Sequence, residues 1–111
     1  LSITNGEALM STNGELNDFY RASLYQAFVG QEVLANTLPE PVALRLDSVM
    51  EGRPNPGFRP PFSMLLSTPL NIALVDGLYE LKLPNGAMAS FYMTCIVSSR
   101  PERRAYQIVV N

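Results

Sequence analysis

The stretch "GLYELKLPNGAMASFYMTCIVSS", Gly77 to Ser99, decides how this chain folds. Tyr79, Leu81 and Leu83 alternate with Glu80 and Lys82. That is the period of a strand with one apolar face. Leu83-Pro84-Asn85-Gly86-Ala87 follows at once, and a second run fills 85–99. Asn-Gly between two such runs is the strongest short-range hairpin mark, because both residues accept positive φ. The polar "SSRPERR" at 98–104 has a suitable length for a second hairpin turn. "RRAYQIVVN" at 103–111 then puts Tyr106, Ile108 and Val110 on one face. Residues 77–111 are therefore expected to form a three-stranded antiparallel meander.

Working toward the N-terminus, the same period of two recurs. "QEVLANT" (31–37) is a short strand candidate. "PVALRLDSVME" (41–51) alternates Val42, Leu44 and Leu46 with Ala43, Arg45 and Asp47. "PFSMLLST" (61–68) sets Phe62, Met64 and Leu66 on one face, and "PLNIALVDG" (69–77) reads as a connection. Leu38-Pro39-Glu40-Pro41 is a stiff turn. The helical period appears only in "NDFYRASLYQAFVG" (17–30), where Asn17 or Asp18 is placed to cap and Gly30 to terminate. Phe19, Ala22, Leu24, Ala27 and Phe28 would face the body, leaving Tyr20 and Tyr25 at least partly exposed. The expected fold is mainly β: about six antiparallel strands in a small sandwich or partly open barrel, with one short N-terminal helix over an open end or edge.

At 111 residues the chain is one domain. It is 47% hydrophobic and 16% charged, enough for one modest core. Residues 1–16 carry Thr-Asn-Gly-Glu twice, at 4–7 and 12–15. They read as an arm, flexible or bound to a partner, ahead of a single domain over 17–111. The first residue, Leu1, is what remains if at least an initiator Met is missing. No basic and apolar leader and no membrane-length apolar run is visible, so the expected setting is a virion or the bacterial cytoplasm.

Ten acidic and eight basic residues give a net charge of −2, which argues against nucleic acid as a partner. The basic residues are seven Arg and one Lys, Lys82. There is no histidine, which removes the commonest general base and zinc ligand. A serine triad cannot be assembled in the ordinary way, and a Ser-Lys arrangement would need Lys82, which alternates outward. The carboxylates are scattered along the chain. No phosphate-binding glycine motif and no calcium loop occurs, and no cofactor or metal is expected. The single thiol, Cys95 in "SFYMTCIVSS", reads as a buried structural one.

"RPNPGFRPPF", Arg53 to Phe62, interrupts the strands with four prolines. Proline lacks an amide donor, so the segment must leave the sheet after Glu51 and rejoin near Phe62. It serves either as a connection, crossing between sheets or over a barrel end, or as a stiff docking arm. Arg53, Phe58 and Arg59 are of types enriched at interface hot spots. With Tyr20 and Tyr25 they form the candidate interface. A competing reading is a soluble β-module holding a peptide or small ligand at a barrel mouth through Tyr20, Tyr25, Phe58 and Tyr92.

Over about residues 19–111 the chain resembles the DUF6916 family of small bacterial domains. The resemblance rests on Phe62-Ser63, Gly77 with Tyr79 and Leu81, Pro84, Gly86, Phe91, Tyr106 with Asn111, and the "FVGQEV" entry at 28–33. Val110 stands where the family often has an aromatic residue, and the strand after Phe91 lacks the family's proline. The resemblance implies a fold-sized module without assigned chemistry, similar to companions of phage tail or surface proteins. The expected function is a non-enzymatic structural or assembly protein of a phage virion or phage-like particle. Its expected partners are proteins, copies of itself included, with no nucleic acid and no membrane.

Overall fold

The computed structural model describes residues 21–53, 55–57 and 60–111. The arm expected over 1–16, the capping residues Asn17 and Asp18, and the candidate residues Tyr20, Phe58 and Arg59 lie outside the described residues. A short helix, α1 (Ala22–Gln26), precedes six strands: β1 (Glu32–Ala35), β2 (Val42–Glu51), β3 (Phe62–Pro69), β4 (Gly77–Lys82), β5 (Met88–Ile96) and β6 (Arg103–Val110).

Every neighbouring pair is antiparallel, and the order β1-β2-β3-β6-β5-β4 closes on itself. The fold is thus a closed barrel, in place of the sandwich or partly open barrel expected. Closure comes from β1, which pairs with β2 and also with β4 through Leu34↔Lys82 and Ala35↔Leu81. Asn36 adds a backbone bond to the Glu80 carbonyl at 2.9 Å.

The deciding hairpin forms as its sequence dictates. Pro84, Asn85 and Gly86 make the connection, with Gly86 N–H donating to Leu83 O at 2.8 Å and Leu83 N–H to Ala87 O at 2.8 Å. Gly86 has φ of +90°, a region costly for a side chain bearing Cβ. The Asn85 side chain accepts from the Ala87 amide at 3.0 Å.

Alternation fills the barrel. Leu44, Leu46, Phe62, Met64, Leu66, Leu81, Met93, Tyr106 and Ile108 are buried inside. Each contributes about 1.5–3 kcal/mol by leaving water. At one end α1 acts as a plug. Tyr25 is 1% exposed, correcting the expectation that it lies on the surface as an interface residue. Its ring stacks on Phe62 and meets Phe91 edge-on, both at 5.8 Å between centroids. The helix is shorter than 17–30; Ala22 and Tyr25, three apart, are its buried residues, Leu24 and Phe28 pack partly buried against the core as expected, and Ala27 is exposed. Gly30 does take positive φ, and the chain then runs onto β2 through bonds between Gly30 N and Leu46 O and between Leu46 N and Gln31 O.

At the other end the 70–76 segment crosses over the opening. Tyr106, buried, receives the Leu74 amide on its hydroxyl at 3.1 Å and shares a 3.3 Å hydrogen bond with Thr68. Cys95 lies at this end and is exposed, where a buried thiol was expected. The reason is positional: pairing with β4 begins at Gly77↔Met93, so past Met93 β5 has only β6 beside it. The Cys95 amide is satisfied by the Asp76 carboxylate at 2.8 Å.

The proline segment does leave after Glu51 and return at Phe62. It does not cross between sheets, because β2 and β3 are adjacent antiparallel partners. It is a long hairpin loop, clamped at its base by Gly52 N–H to Pro61 O at 2.7 Å.

Candidate functional site: one wall with two chemistries

Strands β2, β3 and β6 form one wall of the barrel, and its outer surface carries two different sites. Strand β2 is irregular there. Leu46 pairs with Leu66 and Ser48 with Leu65, so Asp47 is an extra residue, a β-bulge. The bulge keeps Leu44 and Leu46 inside and brings Val49, opposite Met64, onto the same inner face. Arg45, Asp47 and Ser48 are all left on the outer face.

At the end near the β5–β6 turn, these outward residues build a polar cluster. Ser67 points outward between two inward neighbours, yet it is 2% exposed. Arg103 covers it, donating from Nε to Ser67 Oγ at 2.7 Å and from Nη2 to the Ser67 carbonyl at 3.1 Å. Arg45 Nε donates to the Asp47 carboxylate and forms an ion pair with it. Partial burial pushes the Asp47 carboxyl up, but hydrogen bonds from Arg45 and Ser67 and the charges of Arg45 and Arg103 outweigh it. The carboxyl is held below its ordinary value. A cavity of about 390 Å³ opens here between the wall and the 96–100 segment.

At the other end, beside the proline segment, the wall is apolar. Register places Met50, Ser63 and Val109 side by side on the outer face. Met50 is 66% and Val109 56% exposed, and with Gly52 and Pro61 they border a shallow groove of about 300 Å³. Around the barrel, Leu78 and Tyr92 face each other across β4 and β5, 74% and 58% exposed. Pairing of β5 with β6 stops at Met93↔Ile108, one residue short of Tyr92 and Val109.

Of the residues singled out in the sequence, Arg53 is exposed at the base of the proline loop, near this apolar groove, and Tyr92 is exposed on β5. Tyr25 is inside. The wall residues Met50, Val109, Arg103 and Ser67 were not singled out. One sequence mark points to the bulge: the apolar spacing in "LRLDSVM" slips from even at Leu44 and Leu46 to odd at Val49. Among the described residues no group of three or more His, Cys, Asp or Glu could hold a metal ion, and no helix is long and apolar enough to cross a membrane.

The model of the domain of unknown function DUF6916 matches residues 20–110. The chain belongs to the DUF6916 family. The match takes in both ends of the wall and the proline loop between β2 and β3, so these are parts of a DUF6916 domain rather than additions to it. No curated protein and no solved structure matches the chain.

Proposed function

We propose that this DUF6916 protein is a non-enzymatic assembly protein of a phage virion or phage-like particle. It associates with copies of itself through the apolar end of the β2–β3–β6 wall and the proline loop beside it, with the N-terminal arm as a second contact. The observation that carries this reading is the apolar outer row. Single exposed apolar residues are ordinary, but Met50 and Val109 flank Ser63 on adjacent strands, next to a proline-stiffened loop bearing Arg53. A closed barrel offers no long free edge for strand addition, so association through a face is the route left. The non-enzymatic reading draws on the pairing of Asp47, the carboxylate in the polar cavity, which Arg45 and Ser67 already satisfy.

Sedimentation of the full chain, alongside a Met50→Glu/Val109→Glu variant and a chain lacking residues 1–16, tests it. The expected result is an oligomer that the double variant reduces to monomer and that arm removal weakens. A full chain that stays monomeric across the accessible concentration range would overturn self-association. An oligomer that the double variant leaves intact would overturn the wall as its interface.

A further inference from the structure

We propose that the cavity at the polar end of the wall binds a small oxyanion, a free carboxylate or phosphate compound whose apolar part rests on the cavity floor. This inference stands apart from self-association, since it uses the opposite end of the wall.

Arg100 and Arg103 line the cavity and Arg45 adjoins it, against one lining carboxylate, Asp47. Arg45 pairs with Asp47, so the positive excess at the lining comes from Arg100 and Arg103, an electropositive pocket on a chain of net charge −2. Glu102, in the same turn, is not among the lining residues.

Donor accounting sharpens this. A guanidinium has five N–H donors and no acceptor. Arg103 uses two of them on Ser67, which fix the plane of its fork and leave three. The Arg100 side chain has no hydrogen-bond or ion-pair partner among the described residues; the residue's bonds there are backbone ones, with Ser98 Oγ and the Arg103 amide. Ser48 and Ser99 add hydroxyls at the lining. Asp47, the one strong acceptor, is occupied by Arg45 and Ser67. The lining therefore offers more guanidinium N–H donors than it has charged acceptors, which favours an anion. Guanidinium forks match the oxygens of carboxylate and phosphate groups. Leu65, Ile96 and Ala105 supply apolar lining beneath them. At about 390 Å³ the space lies at the small end of ligand cavities, which limits the occupant to a compact molecule.

The test is a titration followed by amide and arginine Nε–H resonances, with inorganic phosphate, citrate and benzoate as separate probes and sodium chloride matching the ionic strength. Expected is saturable movement of the Arg103 Nε–H and of the Ser99 and Arg100 amides with at least one probe. Arg100→Ala is the variant of choice, because that side chain holds nothing else in place. It should weaken binding about tenfold or more, the loss of one charge-assisted contact. Arg53→Ala, at the other end of the wall, should leave binding unchanged. Absence of saturable shifts with all three probes would overturn the proposal. So would binding of equal strength in Arg100→Ala, or shifts that sodium chloride alone reproduces.

Discussion

The two ends of the barrel are closed by the same residue type used in opposite ways. Near the proline loop Tyr25 contributes its ring, stacked on Phe62 and edge-on to Phe91. At the far end Tyr106 contributes its hydroxyl, which ties Thr68 and the Leu74 amide together. The outer wall follows the same division. Beside the Tyr25 plug it is apolar, with Met50 and Val109; beside the Tyr106 clasp it is a network of Arg45, Asp47, Ser67 and Arg103. The same three strands supply both surfaces. What separates them is one inserted residue, Asp47, which lets Leu46 and Val49 both face inward while the polar residues between them face out. A single bulge thus divides a wall chemically without interrupting the core behind it.

The largest expected effect lies at the ring end. Tyr25→Ala removes a buried aromatic plug and should cost about 3–5 kcal/mol. Urea unfolding measures it; a loss below about 1 kcal/mol would mean that the helix is not a structural plug and would erase the contrast between the two ends. Next comes the hydroxyl end. Tyr106→Phe keeps the ring but strands the Leu74 amide, while Thr68 keeps its bond to the Ile72 carbonyl, costing about 1–3 kcal/mol. Hydrogen exchange should accelerate at the Leu74 amide and leave the amides around Tyr25 unchanged. Uniform acceleration across the barrel would show that the ends are not independent.

The smallest effect concerns Asp47. Its folded carboxyl titrates below the ordinary value of 3.8. The folded state therefore binds its proton less readily than the unfolded chain. The stabilisation is fully present above about pH 4 and fades as pH falls through the folded value. The pair is partly exposed, so the contribution at neutral pH is about 0.2–1 kcal/mol. The stability difference between the native chain and Asp47→Asn should be constant near neutrality and shrink toward acid. A difference that grows on acidification would reverse the sign of the coupling and undo the electrostatic account of this end.

Much of the fold was legible because it is local. All six strands lie where alternation placed them, and Pro84-Asn85-Gly86 sets the turn through chemistry confined to five residues. Closure was not legible. It depends on Ala35 meeting Leu81, and four residues of Glu-Val-Leu-Ala carry nothing that names a second partner. Tyr25 misled because it lies off the stripe drawn through Phe19, Ala22, Leu24, Ala27 and Phe28, while its spacing of three from Ala22 put the ring inside. Cys95 misled in the opposite sense: an apolar run implies burial only where strands flank both sides. The candidate wall was the least legible part. Arg45, Ser67, Arg100 and Arg103 come from four separated places in the chain and converge only once register is set.

The strand order also has a consequence for how the chain can reach this state. β1, β2 and β3 pair with their sequence neighbours, and so do β4 and β5, giving two partial sheets. Apart from the two-pair contact of β1 with β4, only β6 joins them, running beside both β3 and β5. Until β6 has been synthesised, the inner faces of both sheets, Met64 and Leu66 on one and Phe91 and Met93 on the other, have no common core to enter. All six strands must therefore exist before this apolar surface is sheltered, and the interval before β6 arrives is when it is most exposed to aggregation.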